Sequence, residues 1–164
     1  QLLYANLPRV LADGQNADAR EAMLLGALFA GMAFANAPVA AVHALAYPLG
    51  GHYQFAHGLS NSLVLGPVLE FNLPEAQAPY AQLAHAMLPA TRSLPESAAA
   101  RAFVEAMRAC VAAMPYAQSL SAAGVAEADL TMLAEDALKV QRLLVNNPRE
   151  LGLADALAIY RAAY

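Results

Sequence analysis

The sequence has no tryptophan, a single cysteine and few charged residues. Charged side chains make up 13% of the 164 residues and hydrophobic ones 59%, and the formal net charge is -4 at pH 7. The few basic residues are scattered and form no stripe, which argues against a nucleic-acid partner. An apolar chain of this length is typical of one packed domain, so we predict a single domain over residues 1–164.

The cysteine content also limits the chemistry of the chain. With Cys110 alone, no internal disulfide and no thiolate metal cluster can form, which fits a reducing, cytoplasmic location. We interpret Cys110 as a small buried apolar residue without a catalytic role.

The opening residues lack the basic region and the cleavage site of a signal peptide. Because the chain begins with Gln1 and not with Met, we expect it to begin within a longer protein.

Residues 22–69 contain no Asp, Glu, Lys or Arg. Such a segment is expected to be largely buried. A membrane-spanning helix needs about 20 apolar residues without interruption, and here the run is interrupted by Asn36 and Pro38 and then by three histidines. We therefore predict packed helices and no membrane partner.

Turn and capping signals divide the chain into helices, and no segment alternates with the two-residue period of a strand. Asp18 and Glu21 have the spacing of a capping box, which predicts a helix from there to about Asn36. Pro48 and the glycine pair after it are expected to end the following helix near residue 47, with a loop over residues 52–56. The prediction is an all-α helical bundle. The remaining helices are expected over residues 1–12, 57–72, 127–144 and 155–164. Two more are expected, one around His85 and one from the capping signal Ser93-x-x-Glu96 to about residue 114.

Three of the four histidines lie within the charge-free segment, at positions 43, 52 and 57. A buried imidazole without a partner costs about 1 to 3 kcal/mol, and metal coordination is one way to satisfy it. We expect His43 near the end of one helix and His57 in the first turn of the next, so that a tight Pro-Gly-Gly turn brings them together as two ligands of a divalent metal. His52 could face solvent or a cleft. His85 is interpreted as a structural core residue.

The order and spacing of several segments resemble the signature region of iron-containing alcohol dehydrogenases. The segments are Gly31-Met-Ala-Phe-Ala-Asn36, Val42-His-Ala-Leu-Ala-Tyr-Pro-Leu-Gly-Gly51, His57-Gly-Leu-Ser-Asn61, Glu70-Phe-Asn72, Asn146-Asn-Pro-Arg149 and Ala156-Leu-Ala-Ile-Tyr160. The resemblance covers most of the chain. It implies the C-terminal helical domain of a two-domain protein with the dehydroquinate synthase-like fold of that family.

The resemblance also implies a cofactor set and a reaction. His43 and His57 match two of four metal ligands, for Fe²⁺ with Zn²⁺ as an alternative, while an Asp and a further His would lie before Gln1. A missing N-terminal domain would bind NAD or NADP, and the whole protein would interconvert small alcohols and aldehydes. We expect the chain alone to be inactive. The alternative is a non-catalytic helical binding module with structural histidines; a metal-free, normally folded parent protein would favour it.

Tyr47 is a departure from the family pattern, since family members often carry a histidine at this position, one helical turn after the first ligand. Residues at i and i+4 share a helix face, so Tyr47 is expected to line the same cleft as His43. A phenol titrates near pH 10 and an imidazole near 6.5. We therefore predict that Tyr47, as the candidate catalytic-site residue, acts by packing and hydrogen bonding. Among partners, a second copy of the same protein in a homo-oligomer is left open by the sequence.

Overall fold

The computed structural model describes all 164 residues, and it contains helices and no strand. The all-α prediction is confirmed. Two short 3-10 helices, Pro89–Ser93 and Glu127–Asp129, accompany nine α-helices. The α-helices are α1 (Leu2–Ala12), α2 (Ala17–Asn36), α3 (Ala41–Tyr53), α4 (His57–Asn72), α5 (Gln77–Met87), α6 (Glu96–Ala112), α7 (Leu130–Leu138), α8 (Gln141–Leu144) and α9 (Leu153–Ala163).

Helix α4 lies between two hydrophobic clusters and contributes to both. The larger cluster joins α3, α4, α7 and α9, with fully buried Leu45, Val64 and Tyr160 among its members. The smaller cluster joins the end of α4 to α5 and α6, and includes Leu69 and Phe103. The two helices that carry His43 and His57 are therefore set in the larger core, which gives the candidate site a rigid base.

Helix α2 contradicts the expectation that the charge-free segment is largely buried. Its only buried residues are Ala19 and Gly26, and its large apolar side chains are exposed. It packs on α1, and a β-carbon at Gly26 would lie 2.9 Å from the side chain of Leu3, so glycine permits this close approach. No single helix is long and apolar enough to span a membrane; α2 and α3 together meet that test but are bent by 104° relative to each other.

Helix α3 continues past the residues that were expected to stop it. It runs through Pro48 and the glycine pair to Tyr53, and ends where Gln54 takes a left-handed conformation with φ of 56°. A proline inside a helix costs about 3 kcal/mol, but here Leu45, Pro48 and Leu49 are buried. We attribute the continued helix to this burial, so His43 lies in its first turn and not near its end.

Three capping or boundary predictions were also wrong in detail. The side chain of Asn16, and not that of Asp18, caps α2 by accepting a hydrogen bond from the Ala19 amide. Pro95 precedes α6 without a side-chain cap. The helix predicted over 127–144 is divided into a 3-10 turn, α7 and α8, with the last break at Lys139 and Val140. Local polar groups compete for caps, and spacing alone does not decide between them.

Candidate metal centre

The rings of His43 and His57 lie next to each other at the start of α3 and α4. Their centroids are 5.2 Å apart and their planes are tilted by 51°. The connection that allows this is the segment 54–56, which begins with the left-handed Gln54. The structure therefore brings together the two residues that the sequence singled out, by a different turn from the predicted one.

Burial and the neighbouring ring act together on His43. Removal from water lowers the pKa of the His43 imidazole, and the charge of His57 lowers this pKa further. Both effects disfavour the imidazolium form. Both effects thereby favour the neutral form of His43, which is the form that binds a metal ion.

Asn61 lies one turn after His57 and contacts it in two ways. Its Nδ2 atom lies 3.0 Å from Nε2 of His57 and donates to the backbone carbonyl of His57, also at 3.0 Å. Its Oδ1 atom is buried and has no hydrogen-bond partner. Neutral imidazole nitrogens and amide oxygens are electron-pair donors of the kind that bind cations. The i, i+4 spacing on a helix was the signal for this contact, which the sequence analysis missed.

Within the chain, the candidate metal ligands are two histidines. No group of three or more His, Cys, Asp or Glu side chains is arranged to hold a metal ion. A divalent transition metal usually has at least three protein ligands. The two imidazoles thus fit a metal as a partial set that needs further ligands.

Tyr47 lies on α3 one turn after His43, and its side chain is 39% exposed. Because α3 is continuous through this position, the two side chains share a face of the helix. Its role at a substrate cleft stays a prediction.

Comparison with known proteins identifies the fold and the family. The family profile described as "Fe-containing alcohol dehydrogenase family, C-terminal" matches residues 1–164. The chain belongs to this family. It is 37% identical to long-chain-alcohol dehydrogenase 1 of Geobacillus thermodenitrificans and 37% identical to 1,3-propanediol dehydrogenase of Citrobacter freundii, in each case over the whole chain and 42% of the relative. The crystal structure of a 1,3-propanediol oxidoreductase superposes with a TM-score of 0.91 at 36% identity, over 99% of this chain and 42% of that one.

These matches confirm the resemblance and the fold assigned to it. They also show that the chain spans less than half of the length of the relatives, in their C-terminal part.

Two of the family-like segments prove to be structural. The side-chain amides of Asn72 and Asn147 donate to each other's oxygen, at 3.0 and 2.7 Å. Arg149 donates to the carbonyl of Phe71 at 2.8 Å, and its guanidinium lies 4.1 Å from the centre of the Phe71 ring. These contacts connect the segment before α9 to the C-terminal end of α4, and they stabilise the position of α4, the helix that begins with His57.

His52 lies in the last turn of α3 and not in a loop. Its Nε2 atom is 2.6 Å from Oδ2 of Asp136 on α7, and Lys139 contacts the other oxygen of the same carboxylate. The side chain therefore joins α3 to α7 at the surface, which removes it from the candidate metal site.

The Asp136 carboxylate is expected to contribute stability that depends on pH. The hydrogen bond from Lys139, and then that from His52, lower the pKa of Asp136 below its usual value of 3.8. A carboxyl group whose pKa is lowered by folding stabilises the protein above its unfolded-state pKa, and this stability is lost as the pH falls through the folded-state value. We predict that Asp136→Asn slightly lowers the urea midpoint at pH 7, and that the difference from wild type shrinks as the pH falls below 3.8 and disappears only below the lowered pKa of Asp136. Glu135→Gln is the matched control, and an equal loss in both variants would contradict this role.

Two other singled-out residues lie away from the histidine pair. His85 on α5 is half-buried, and its Nε2 atom is buried without a hydrogen-bond partner. Cys110 is half-buried and lines an apolar groove between α1 and α6 with Tyr4 and Met114. Its surroundings are apolar, as expected, although it is not fully buried.

Proposed function

We propose that the full-length protein is an NAD- or NADP-dependent alcohol dehydrogenase and that His43 and His57 supply two ligands of its Fe²⁺ or Zn²⁺ ion. The observation that carries the proposal is the pair of adjacent imidazoles, with centroids 5.2 Å apart, in a chain of this family. Imidazole suits both metals, so the ligand type does not select between them.

The residues of this chain prepare the site for a cation. Burial and the charge of His57 lower the pKa of His43, which weakens the competition of protons for its lone pair. Contact with Asn61 fixes the orientation of the His57 ring. When bound, the metal would supply Lewis-acid polarisation of the alcohol or aldehyde oxygen, while the nicotinamide carries the hydride.

The rest of the protein completes this proposal. An Asp and a His that precede this chain would fill the remaining metal positions, and a separate N-terminal domain would bind NAD or NADP. The 164-residue chain alone would then be inactive. Substrates would be alcohols and aldehydes, the classes named for its relatives. A cytoplasmic location belongs to the same proposal and rests on the single cysteine.

Metal analysis of the purified full-length protein tests the proposal directly. We expect about one equivalent of Fe or Zn per chain, together with NAD(P)-dependent oxidation of 1,3-propanediol or a longer primary alcohol. Removal of the metal with a chelator should abolish this oxidation, and adding it back should restore it. A normally folded parent protein without bound metal would instead support a non-catalytic helical binding module.

Tyr47 offers a test of how the substrate cleft works. We predict that Tyr47→Phe in the full-length protein raises the activation free energy derived from kcat/KM by about 1 kcal/mol or less, because one neutral hydrogen bond is lost. Tyr47→Ala should raise KM more strongly, because packing is lost as well. The measurement is kcat and KM of both variants from pH 6 to 10. A thousandfold fall in kcat for Tyr47→Phe would instead make the phenol an acid or base in the reaction.

A further inference from the structure

Asn61 contacts the imidazole of His57 with its side-chain nitrogen, and the backbone fixes which end of the amide makes this contact. The Nδ2 atom of Asn61 lies 3.0 Å from the carbonyl oxygen of His57 and 3.0 Å from Nε2 of the same residue. A carbonyl oxygen can only accept a hydrogen bond, so the atom that faces it is the amide nitrogen. An amide nitrogen has two N–H groups, and the second is left for Nε2. Asn61 is therefore a donor to the His57 ring.

This contact defines which nitrogen of the His57 ring carries the hydrogen. A nitrogen that accepts a hydrogen bond must present its lone pair, so Nε2 is unprotonated and the neutral ring has its hydrogen on Nδ1. Nε2 is then the ring nitrogen that is able to bind a metal ion. Its single lone pair takes one partner at a time. The hydrogen bond from Asn61 and a metal bond at Nε2 therefore exclude each other.

Coordination through Nδ1 of His57 would not preserve the contact either. Nε2 would then carry the hydrogen and face an N–H group of Asn61, so that two donors would lie 3.0 Å apart. Turning the amide end for end would offer Nε2 an acceptor. It would also place the amide oxygen where Nδ2 now lies, 3.0 Å from the His57 carbonyl oxygen, and two acceptors form no hydrogen bond. The geometry thus favours Nε2 as the metal-binding atom.

The Asn61 amide is satisfied at one end and unsatisfied at the other. Its Oδ1 atom is buried and has no hydrogen-bond partner, and a buried acceptor without a donor is costly. This cost offsets part of the stabilisation that the two donated hydrogen bonds provide. The contact with Nε2 is therefore weak enough for a metal ion to displace, whereas the bond to the His57 carbonyl does not involve the ring and can persist.

We propose that Asn61 is a positioning residue that occupies the lone pair of His57 until a metal ion displaces it. This inference rests on the proposed function, in which His57 is a metal ligand. Asn61 holds the ring in its ligating tautomer and competes with the metal for the same nitrogen, so it lowers the affinity of the site. The usual outer partner of a ligating histidine accepts a hydrogen bond from the other ring nitrogen and raises the affinity. Asn61 is expected to have the opposite effect.

Competition with a chromophoric chelator in the full-length protein measures this effect. Zn²⁺ is titrated into wild type and into Asn61→Leu, in which a side chain of similar shape lacks both N–H donors. We expect the variant to bind Zn²⁺ about two- to tenfold more tightly, the factor that corresponds to one net hydrogen bond. Gln118→Leu is the matched control, because the Gln118 amide also donates to a carbonyl four residues earlier, that of Met114 at 2.9 Å, but to no imidazole. It should bind Zn²⁺ as wild type does.

An unchanged or weaker affinity in Asn61→Leu would overturn the competition. A loss of about ten- to a hundredfold would make Asn61 a supporting partner of the ligand instead. Circular dichroism checks that each variant is folded, and Asn61→Ala, with the same expected result, replaces a leucine variant that has lost its helical signal. A folded wild type that binds neither Zn²⁺ nor Fe²⁺ would refute the proposed ligand role of His57. Zn²⁺ bound by wild type without tighter binding in the variant would refute the role of Asn61 alone.

Discussion

Replacement of His43 or His57 by alanine in the full-length protein is expected to remove the metal and lower turnover by at least about a thousandfold. The structure brings the two imidazoles to 5.2 Å between centroids, so each variant would lose one of the two adjacent imidazoles that we propose as ligands. Lewis-acid stabilisation is worth several kcal/mol, and each 1.4 kcal/mol corresponds to about tenfold in rate. This is the largest effect that we expect from any single substitution.

Metal content and kcat measured together on the same preparations provide the check. His85→Ala is the matched control, because it removes an imidazole from α5, outside the pair. It should keep the wild-type metal content. Equal loss of metal in all three variants would contradict the assignment of the site to His43 and His57. Retention of metal in both His43→Ala and His57→Ala would contradict it as well.

Tyr160→Ala is expected to destabilise the folded chain by about 3 to 5 kcal/mol, the usual range for removal of a large buried aromatic side chain. Tyr160 on α9 is fully buried, and its hydroxyl donates to the carbonyl of Leu45 on α3 at 2.6 Å. Burial, and then the charge of Asp136, raise the pKa of the Tyr160 phenol, so the hydroxyl remains a donor at every pH of interest. The residue therefore anchors the helix that carries His43.

Urea unfolding of the 164-residue chain, followed by circular dichroism, measures this effect. Tyr160→Phe separates the hydrogen bond from the packing and should cost about 0.5 to 1.5 kcal/mol. Tyr164→Phe is the matched control, because Tyr164 is 37% exposed and should change the free energy of unfolding by less than about 0.5 kcal/mol. A loss below about 1 kcal/mol for Tyr160→Ala would contradict the anchoring role.

The candidate site could be predicted from the sequence more completely than the local structure around it. His43 and His57 were selected because imidazoles are costly in a charge-free segment, and the structure places their rings side by side. The contact of Asn61 with His57 follows from i, i+4 spacing on α4, but spacing alone does not tell which of several polar neighbours makes a contact. The partner of His52 could not be predicted, because Asp136 lies 84 positions further along the chain.

The sequence by itself determined the helical class, most helix positions and the family, because apolar periodicity, turn residues and motif spacing are local properties of the chain. Only the tertiary structure decided that α3 passes through Pro48 and that α2 is left exposed while α3 and α4 are buried. A local breaking signal of about 3 kcal/mol can be outweighed by burial of the side chains around it, and that burial depends on distant helices. The absence of charge predicts that a segment is buried against other protein surface. Only the tertiary packing shows whether this chain supplies that surface.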